Sequence, residues 1–204
     1  MPLYQNKYKI QSVRHKNWDY SQNGYYFVTI CTKDMQKFFG EVEDGKMVLN
    51  EIGKIVESEW LNTDKIRDNV KVDQFIVMPN HLHGIIVIEN SRDASHVSQS
   101  APQSRRLQGV STDKNYKNKF GSQSNNLSAI IRGFKGASTK RISEIFPNFQ
   151  WQPRFYDRII RDENSLGKIR EYIERNPKFW DEDKNKVENI FYWQKTRWIA
   201  SLRA

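Results

Sequence analysis

The sequence predicts an α+β domain whose main elements follow the order βαββαβ, the ferredoxin-like (RRM-like) pattern. Two observations lead to this fold class. Short runs of β-branched and aromatic residues, bounded by turn residues, predict the strands. Apolar residues that recur at helical spacing between those runs predict the helices. The length of 204 residues fits a single domain spanning 1–204.

Four strands are predicted at 25–31, 70–77, 81–89 and 154–160. A hairpin over 38–49, turning at Asp44-Gly45, is expected after the first strand. Pro79-Asn80 predicts a tight turn before the third strand, because proline cannot donate a hydrogen bond within a central ladder. The ferredoxin-like order places the first and third strands in the middle of the sheet.

Three helices are predicted: one from an Asn50 N-cap to about Leu61, one over Leu127–Phe146, and a short one over about Ser165–Arg175. The short C-terminal helix has an apolar stripe of Leu166, Ile169 and Ile173. At about 100° per residue, Tyr172 and Asn176 both border that stripe, so they should face the sheet. Pro177 disfavours helical geometry at Asn176 and should end the helix there.

Three segments depart from this pattern. Residues 1–24 are predicted to be an arm rich in basic and aromatic side chains, including Lys16. This arm would either bind phosphates and unstacked bases or pack its aromatic rings on the core. Residues 90–126 are a polar insert, expected to be disordered without a partner. The tail 178–204 is rich in tryptophan and tyrosine, and its location stays open.

Composition limits the partners. The formal net charge is +9 and the isoelectric point is about 9.5, which favours nucleic acid over a membrane, although a merely soluble basic protein is the plainer alternative. The only cysteine is Cys31, which excludes a disulfide framework and a cysteine-based zinc site. No apolar run approaches the ~20 residues of a membrane span, and the polar start is no signal peptide. We expect a cytoplasmic, nucleoid-associated protein.

The candidate site begins with His81 and His83. On a strand their side chains point to the same face, so the two imidazoles could bind one metal ion. A divalent ion, Mg²⁺ or Mn²⁺, held in this way would keep open positions for phosphate oxygens and water. Structural histidines without a metal are the commoner explanation for such a pair.

Tyr172 is the candidate nucleophile on the opposing helix. Its ordinary pKa is about 10, so the hydroxyl needs a nearby cation or base before it can attack a phosphodiester. Attack would give a phosphotyrosine link that retains the phosphodiester energy for rejoining strands. Asn176, one turn further on, could add a carbonyl oxygen to the metal. Arg132 and Lys135 form a polar stripe on the second helix that could contact phosphates, with a solvated face as the alternative.

The segment Met78-Pro79-Asn80-His81-Leu82-His83-Gly84-Ile85 resembles the HUH motif of single-tyrosine transposases. The match is to the REP-associated tyrosine transposase (RayT-like) branch, related to the IS200-like transposases. Further matching stretches are Trp18-Asp19-Tyr20-Ser21, Tyr26-Phe27-Val28-Thr29-Ile30-Cys31-Thr32, Phe39-Gly40-Glu41-Val42, Trp151-Gln152-Pro153-Arg154-Phe155 and Tyr172-Ile173-Glu174-Arg175-Asn176-Pro177.

This resemblance implies a metal site at His81 and His83, and a catalytic C-terminal helix whose Tyr172 cuts and rejoins single-stranded DNA near small hairpins through a 5′-phosphotyrosine. Relatives often carry glutamine where this chain has Asn176. They often work as homodimers, but branches of this type can be monomeric, so both states stay open. The candidate DNA contacts are Lys16, Arg132, Lys135 and Arg154.

Two alternatives stay open. A non-catalytic RRM-like module would bind single-stranded nucleic acid through aromatics exposed on the sheet, such as Phe27, without needing a metal. A metal-dependent nuclease that uses water as its nucleophile would tolerate replacement of Tyr172 by phenylalanine.

Overall fold

The computed structural model describes residues 18–90 and 126–182. The predictions for residues 1–17, including Lys16, for most of the polar insert and for the end of the tail lie outside these residues. The strands are β1 Gly24–Cys31, β2 Gly40–Glu43, β3 Lys46–Leu49, β4 Val70–Met78, β5 His81–Ile88 and β6 Tyr156–Ile160, and the helices are α1 Glu51–Lys65, α2 Leu127–Ile142 and α3 Glu163–Arg175. A further 3₁₀ segment, Asn176–Glu182, follows α3 directly.

The main sheet has four strands in the order β4-β5-β1-β6, and every neighbouring pair is antiparallel. With the β2-β3 hairpin set aside, this is the predicted βαββαβ fold, and β1 and β5 are its central strands. The fold class is therefore confirmed. The hairpin also turns where expected, since Asp44 and Gly45 both have positive φ values, 49° and 69°.

Several element ends differ from the prediction. Helix α1 begins after the Asn50 cap, whose side chain accepts from the Gly53 N–H at 2.9 Å, but runs past Leu61 to Lys65, because Thr63 supplies another buried position. Helix α2 ends four residues before Phe146, which is half-exposed. Strand β6 starts two residues after Arg154, because that residue has a left-handed backbone, with φ 68°.

Helix α3 starts two residues earlier than predicted. Asp162 is its N-cap: the carboxylate accepts from the Ser165 N–H at 2.8 Å and from the Ser165 hydroxyl at 2.7 Å. Aspartate is a preferred N-cap residue, so the signal was present in the sequence.

The two faces of the main sheet are covered by different elements. Helices α1 and α2 pack on one face, over a core built from alternate residues of the central strands together with Trp60 and Phe134. Helix α3 covers the other face, where Leu166, Ile169 and Ile173 pack on Phe27, Ile85 and Ile160. The guanidinium of Arg170 pairs with the Asp73 carboxylate and ties α3 to β4. No helix in the described part of the chain is long and apolar enough to cross a membrane.

Gly84 gives room to a core tryptophan. A Cβ at this position would lie 2.5 Å from Cζ2 of Trp60, which is fully buried. We expect Gly84→Ala to destabilise the fold by about 1–3 kcal/mol through overpacking. Urea denaturation should show this, whereas Gly136→Ala on α2, which meets nothing within 4 Å, should leave stability unchanged or raise it by about 0.5–1 kcal/mol. Equal stability of Gly84→Ala and the natural chain would contradict this account of the contact.

Candidate active site on the α3 face of the sheet

His81 and His83 lie on β5 with their side chains on the face that α3 covers. Both are buried, with exposed fractions of 0% and 1%. Their ring centroids are 4.4 Å apart. The predicted same-face pair is therefore confirmed, and the rings lie close enough for both to reach one small ion.

The tautomer of His81 is set by Asn80. The Asn80 side-chain amide donates from Nδ2 to the Met35 carbonyl at 3.0 Å, so its Oδ1 is the atom that lies 2.7 Å from Nδ1 of His81. A carbonyl oxygen can only accept, so Nδ1 must carry the proton. In the neutral ring the lone pair is then on Nε2, which is the form that binds a metal.

His83 has contacts at both ring nitrogens. Nδ1 lies 2.9 Å from the Thr29 hydroxyl on the neighbouring strand, and Nε2 lies 3.2 Å from the Tyr172 hydroxyl. If Thr29 accepts from Nδ1, the lone pair of Nε2 faces Tyr172. The Phe27 ring stacks beside His83 at 5.4 Å between centroids and restricts its rotation.

Helix α3 brings Tyr172 to this point because its neighbours are anchored. Ile169 and Ile173 are buried against the sheet, and Tyr172 lies at the border of that stripe with 39% of its surface exposed. Its ring centroid is 5.2 Å from that of His83. The helical periodicity predicted this placement: the hydroxyl contacts the histidine, while part of the side chain is open to solvent.

Asn176 lies one turn beyond Tyr172 and is almost fully buried, with its Oδ1 atom inaccessible to solvent. The helix ends before it, as predicted. The expectation that Pro177 would push Asn176 out of helical geometry is wrong: its angles are φ −52° and ψ −42°, because the chain continues into the 3₁₀ segment without leaving the helical region.

Trp180 is a site residue that sequence reasoning missed. It is buried, and its ring centroid lies 6.0 Å from that of His81. The 3₁₀ segment therefore folds back over the histidine pair and shields it from water. The available signal was a tryptophan four residues after Asn176, but a 3₁₀ segment of seven residues is too short to show an apolar periodicity.

The donor atoms fit a divalent cation. Both histidines have their Nδ1 atoms fixed by a neighbouring oxygen, the usual arrangement around ligating imidazoles. Within 18–90 and 126–182 no cluster of three or more His, Cys, Asp or Glu side chains could hold a metal. An ion here would therefore use the two Nε2 atoms, the Asn176 amide oxygen, and phosphate or water oxygens. This mixed nitrogen and oxygen set suits Mn²⁺ better than Mg²⁺.

Two of the predicted DNA contacts, Arg132 and Lys135, do not lie at this site. Arg132 and Lys135 are on α2, which covers the opposite face of the sheet. Burial lowers the pKa of Lys135 to about 8, and its ammonium donates to the main-chain carbonyls of Gln152, at 2.7 Å, and Arg154. Lys135 thus braces the loop before β6, while Arg132 and Arg154 are exposed and stay candidate contacts.

The sheet face that would serve an RRM-like binding module is covered in the described structure. Phe27 is only 8% exposed, because α3 lies over it and its ring contacts His83 and Tyr172. An open aromatic platform, which that alternative predicted at Phe27, is therefore not formed.

Comparisons with known proteins give one relative of high coverage. The chain is 36% identical over 182 residues to an uncharacterized protein of Haemophilus influenzae, covering 87% of this chain and 93% of that protein. The chain therefore belongs to the same family as this Haemophilus influenzae protein. No protein-family model matches it.

Two solved structures are similar at low identity. One is a REP-associated tyrosine transposase bound to a REP hairpin, with 17% identity and a TM-score of 0.49, covering 82% of this chain and 73% of that one. The other is a proposed transposase from Deinococcus radiodurans, with 15% identity and a TM-score of 0.40, covering 80% and 96%.

Proposed function

We propose that this protein is a metal-dependent tyrosine transposase or nuclease that cleaves and rejoins single-stranded DNA. The observation that supports this most is the 3.2 Å contact between the Tyr172 hydroxyl and Nε2 of His83, beside a second buried imidazole. The tyrosine hydroxyl, two buried imidazoles and a buried amide oxygen then lie on the side of the sheet that α3 covers. The net charge of +9 suits a polyanionic substrate.

The chemistry follows from the position of the tyrosine. The Tyr172 oxygen, once it has lost its proton, attacks the phosphorus of a phosphodiester. The bond from phosphorus to the 3′ oxygen breaks, the 3′ end leaves as a hydroxyl after taking up a proton, and the 5′ phosphate stays on the tyrosine. A later 3′ hydroxyl can reverse the step and join a new strand, because the bond energy is retained.

The surrounding residues orient the reacting groups. Asn80 and Thr29 hold the two imidazoles in fixed orientations, and Trp180 excludes water from one side. A divalent ion, Mg²⁺ or Mn²⁺, held by His81, His83 and Asn176 would supply positive charge to the phosphodiester and favour loss of the tyrosine proton. The preference for DNA with hairpins is proposed from the motif resemblance.

Incubation of the full-length protein with a hairpin-bearing oligonucleotide and Mn²⁺ tests this function. On denaturing gels we expect a covalent protein–DNA band and a shortened strand with a free 3′ end, both lost with EDTA. Binding without any cleavage would contradict the proposal and favour the binding module. Cleavage without a covalent band would contradict it in favour of hydrolysis by water.

Metal binding must compete with a hydrogen bond. Nε2 of His83 has one lone pair in the tautomer that donates to Thr29, so it cannot accept from Tyr172 and bind an ion together. We expect Tyr172→Phe to bind Mn²⁺ about 2- to 10-fold more tightly, because a hydrogen bond of about 0.5–1.5 kcal/mol no longer has to break. Isothermal titration calorimetry measures this. Weaker binding by the variant would instead make the hydroxyl a ligand.

A further inference from the structure

A cavity of about 650 Å³ opens directly beside the nucleophile. Tyr172 and Asn176 form its inner wall, so it continues from the candidate active site rather than lying apart from it. Its described lining runs along one face of α3 and of the 3₁₀ segment that continues it, from Lys168 to Phe179 and Glu182, at helical spacing. A group bound here would lie next to the phosphate that Tyr172 attacks.

The tail side of the cavity presents an exposed aromatic ring. Phe179 is 45% exposed, although it directly precedes the buried Trp180. The guanidinium of Arg175 lies over the Phe179 ring, 5.2 Å from its centroid, and is braced by an ion pair with Glu171 at 2.8 Å. A half-exposed ring with a braced cation beside it is a platform on which a flat heterocycle can stack.

The charges around the cavity favour a base over a phosphate. Among the described residues that line the cavity, Lys168 and Arg175 are balanced by the carboxylates of Glu171 and Glu182. Carboxylates repel a phosphate group, but they accept hydrogen bonds from the ring N–H and amino groups of an unpaired base. The occupant that fits is therefore neutral, planar and hydrogen-bonding.

We propose that this cavity binds one unpaired nucleobase, stacked on Phe179, from a nucleotide that flanks the cleaved phosphodiester. This deepens the proposed function and rests on it, since the substrate must be single-stranded DNA. The cavity then contributes to the choice of cleavage position, because it accepts a base only where the strand is unpaired.

A double-mutant cycle between protein and DNA tests the proposal. The full-length protein carries Tyr172→Phe, so that binding is measured without cleavage, and the probe is a hairpin-bearing oligonucleotide with single-stranded flanks. Each flanking nucleotide is replaced in turn by an abasic site. We expect one position at which base removal weakens binding about tenfold, the loss typical of one stacked base.

Adding Phe179→Leu should weaken binding of the intact oligonucleotide by a similar factor, and the abasic site should then cost nothing further. Phe146→Leu is the matched control: this phenylalanine is 40% exposed and lies four residues beyond the end of α2, the helix that covers the other face of the sheet, and its replacement should leave the abasic penalty intact. Circular dichroism of both variants checks that they are folded.

The proposal would be overturned if the losses of binding caused by Phe179→Leu and by the abasic site were independent and simply added. It would also be overturned if base removal had no effect at any position, which is the result expected if residues 183–204 of the chain itself fill the cavity. Failure of the oligonucleotide to bind would overturn it too. The cycle measures binding and needs no cleavage, so its outcome is separate from that of the adduct assay. If the adduct forms but Phe179 and the base show no coupling, only the base site is wrong. If Phe179 and the base are coupled but no adduct forms, only the proposed chemistry is wrong.

Discussion

Tyr172→Phe is expected to abolish the covalent protein–DNA adduct and to reduce strand cleavage to background, a loss of at least about a thousandfold. Phenylalanine has no oxygen with which to form the phosphodiester, yet it keeps the ring that contacts Phe27 and His83. The fold should be retained, since the side chain is 39% exposed and the hydrogen bond to His83 that it loses is worth about 0.5–1.5 kcal/mol.

The matched control for this change is Tyr156→Phe. Tyr156 lies on β6 opposite Thr29, on the same face of the sheet as His83 but two strands away from it, and is 54% exposed. Its replacement by phenylalanine removes the same atom from another tyrosine on that face. Its adduct yield on denaturing gels should equal that of the natural chain. An adduct that survives Tyr172→Phe but is lost with Tyr156→Phe would assign the nucleophile elsewhere.

His83→Ala is expected to remove measurable Mn²⁺ binding and to slow cleavage about a thousandfold. An imidazole that helps to hold the ion supports charge stabilisation worth several kcal/mol, and each 1.36 kcal/mol is a factor of ten in rate. Calorimetry with Mn²⁺ and the rate of strand cleavage measure the two effects. Unchanged Mn²⁺ affinity would show that the ion is not held here.

Because His83 is buried, replacing it by alanine also leaves a cavity. A milder variant separates the effect of that cavity from the effect of losing the metal ligand. Thr29→Val keeps the volume and suits a strand, but it removes the oxygen that lies 2.9 Å from Nδ1 of His83. We expect it to lower Mn²⁺ affinity about 10- to 100-fold, the usual cost of losing such a supporting contact. If Thr29→Val binds Mn²⁺ as the natural chain does, the Thr29 hydroxyl does not support His83 as a metal ligand.

The parts of the site that follow a regular period could be predicted from the sequence. His81 and His83 share a face because a strand alternates with period two, and Tyr172 faces them because it borders the apolar stripe of α3. The fold class followed from the same periodicities, since they fixed the order of the elements and hence the central strands.

The parts that depend on irregular backbone could not be predicted. Asn80 was interpreted only as a turn residue, because its hydrogen bond to the Met35 carbonyl depends on a short 3₁₀ segment that brings residue 35 close. Trp180 covers His81 through the short 3₁₀ segment Asn176–Glu182. Neither segment has a repeating pattern that a sequence could show.

The prediction for Arg132 and Lys135 was incomplete for a different reason. Their polar stripe was correctly predicted to lie on a helix, but the stripe alone does not say which face of the sheet that helix covers. The right-handedness of βαβ crossovers supplies that information, because it places both crossover helices, α1 and α2, on one face of the sheet. The histidines face α3 on the other, so this rule would have separated the two sets of residues.

The most direct test of the central claim is to locate the DNA-linked residue after the Mn²⁺ reaction. Trypsin digestion followed by nuclease trimming and mass spectrometry should find a nucleotide joined through its 5′ phosphate to the peptide Glu171-Tyr172-Ile173-Glu174-Arg175, at the tyrosine. A nucleotide on any other peptide, or a reaction that cuts DNA and leaves every peptide unmodified, would contradict the account.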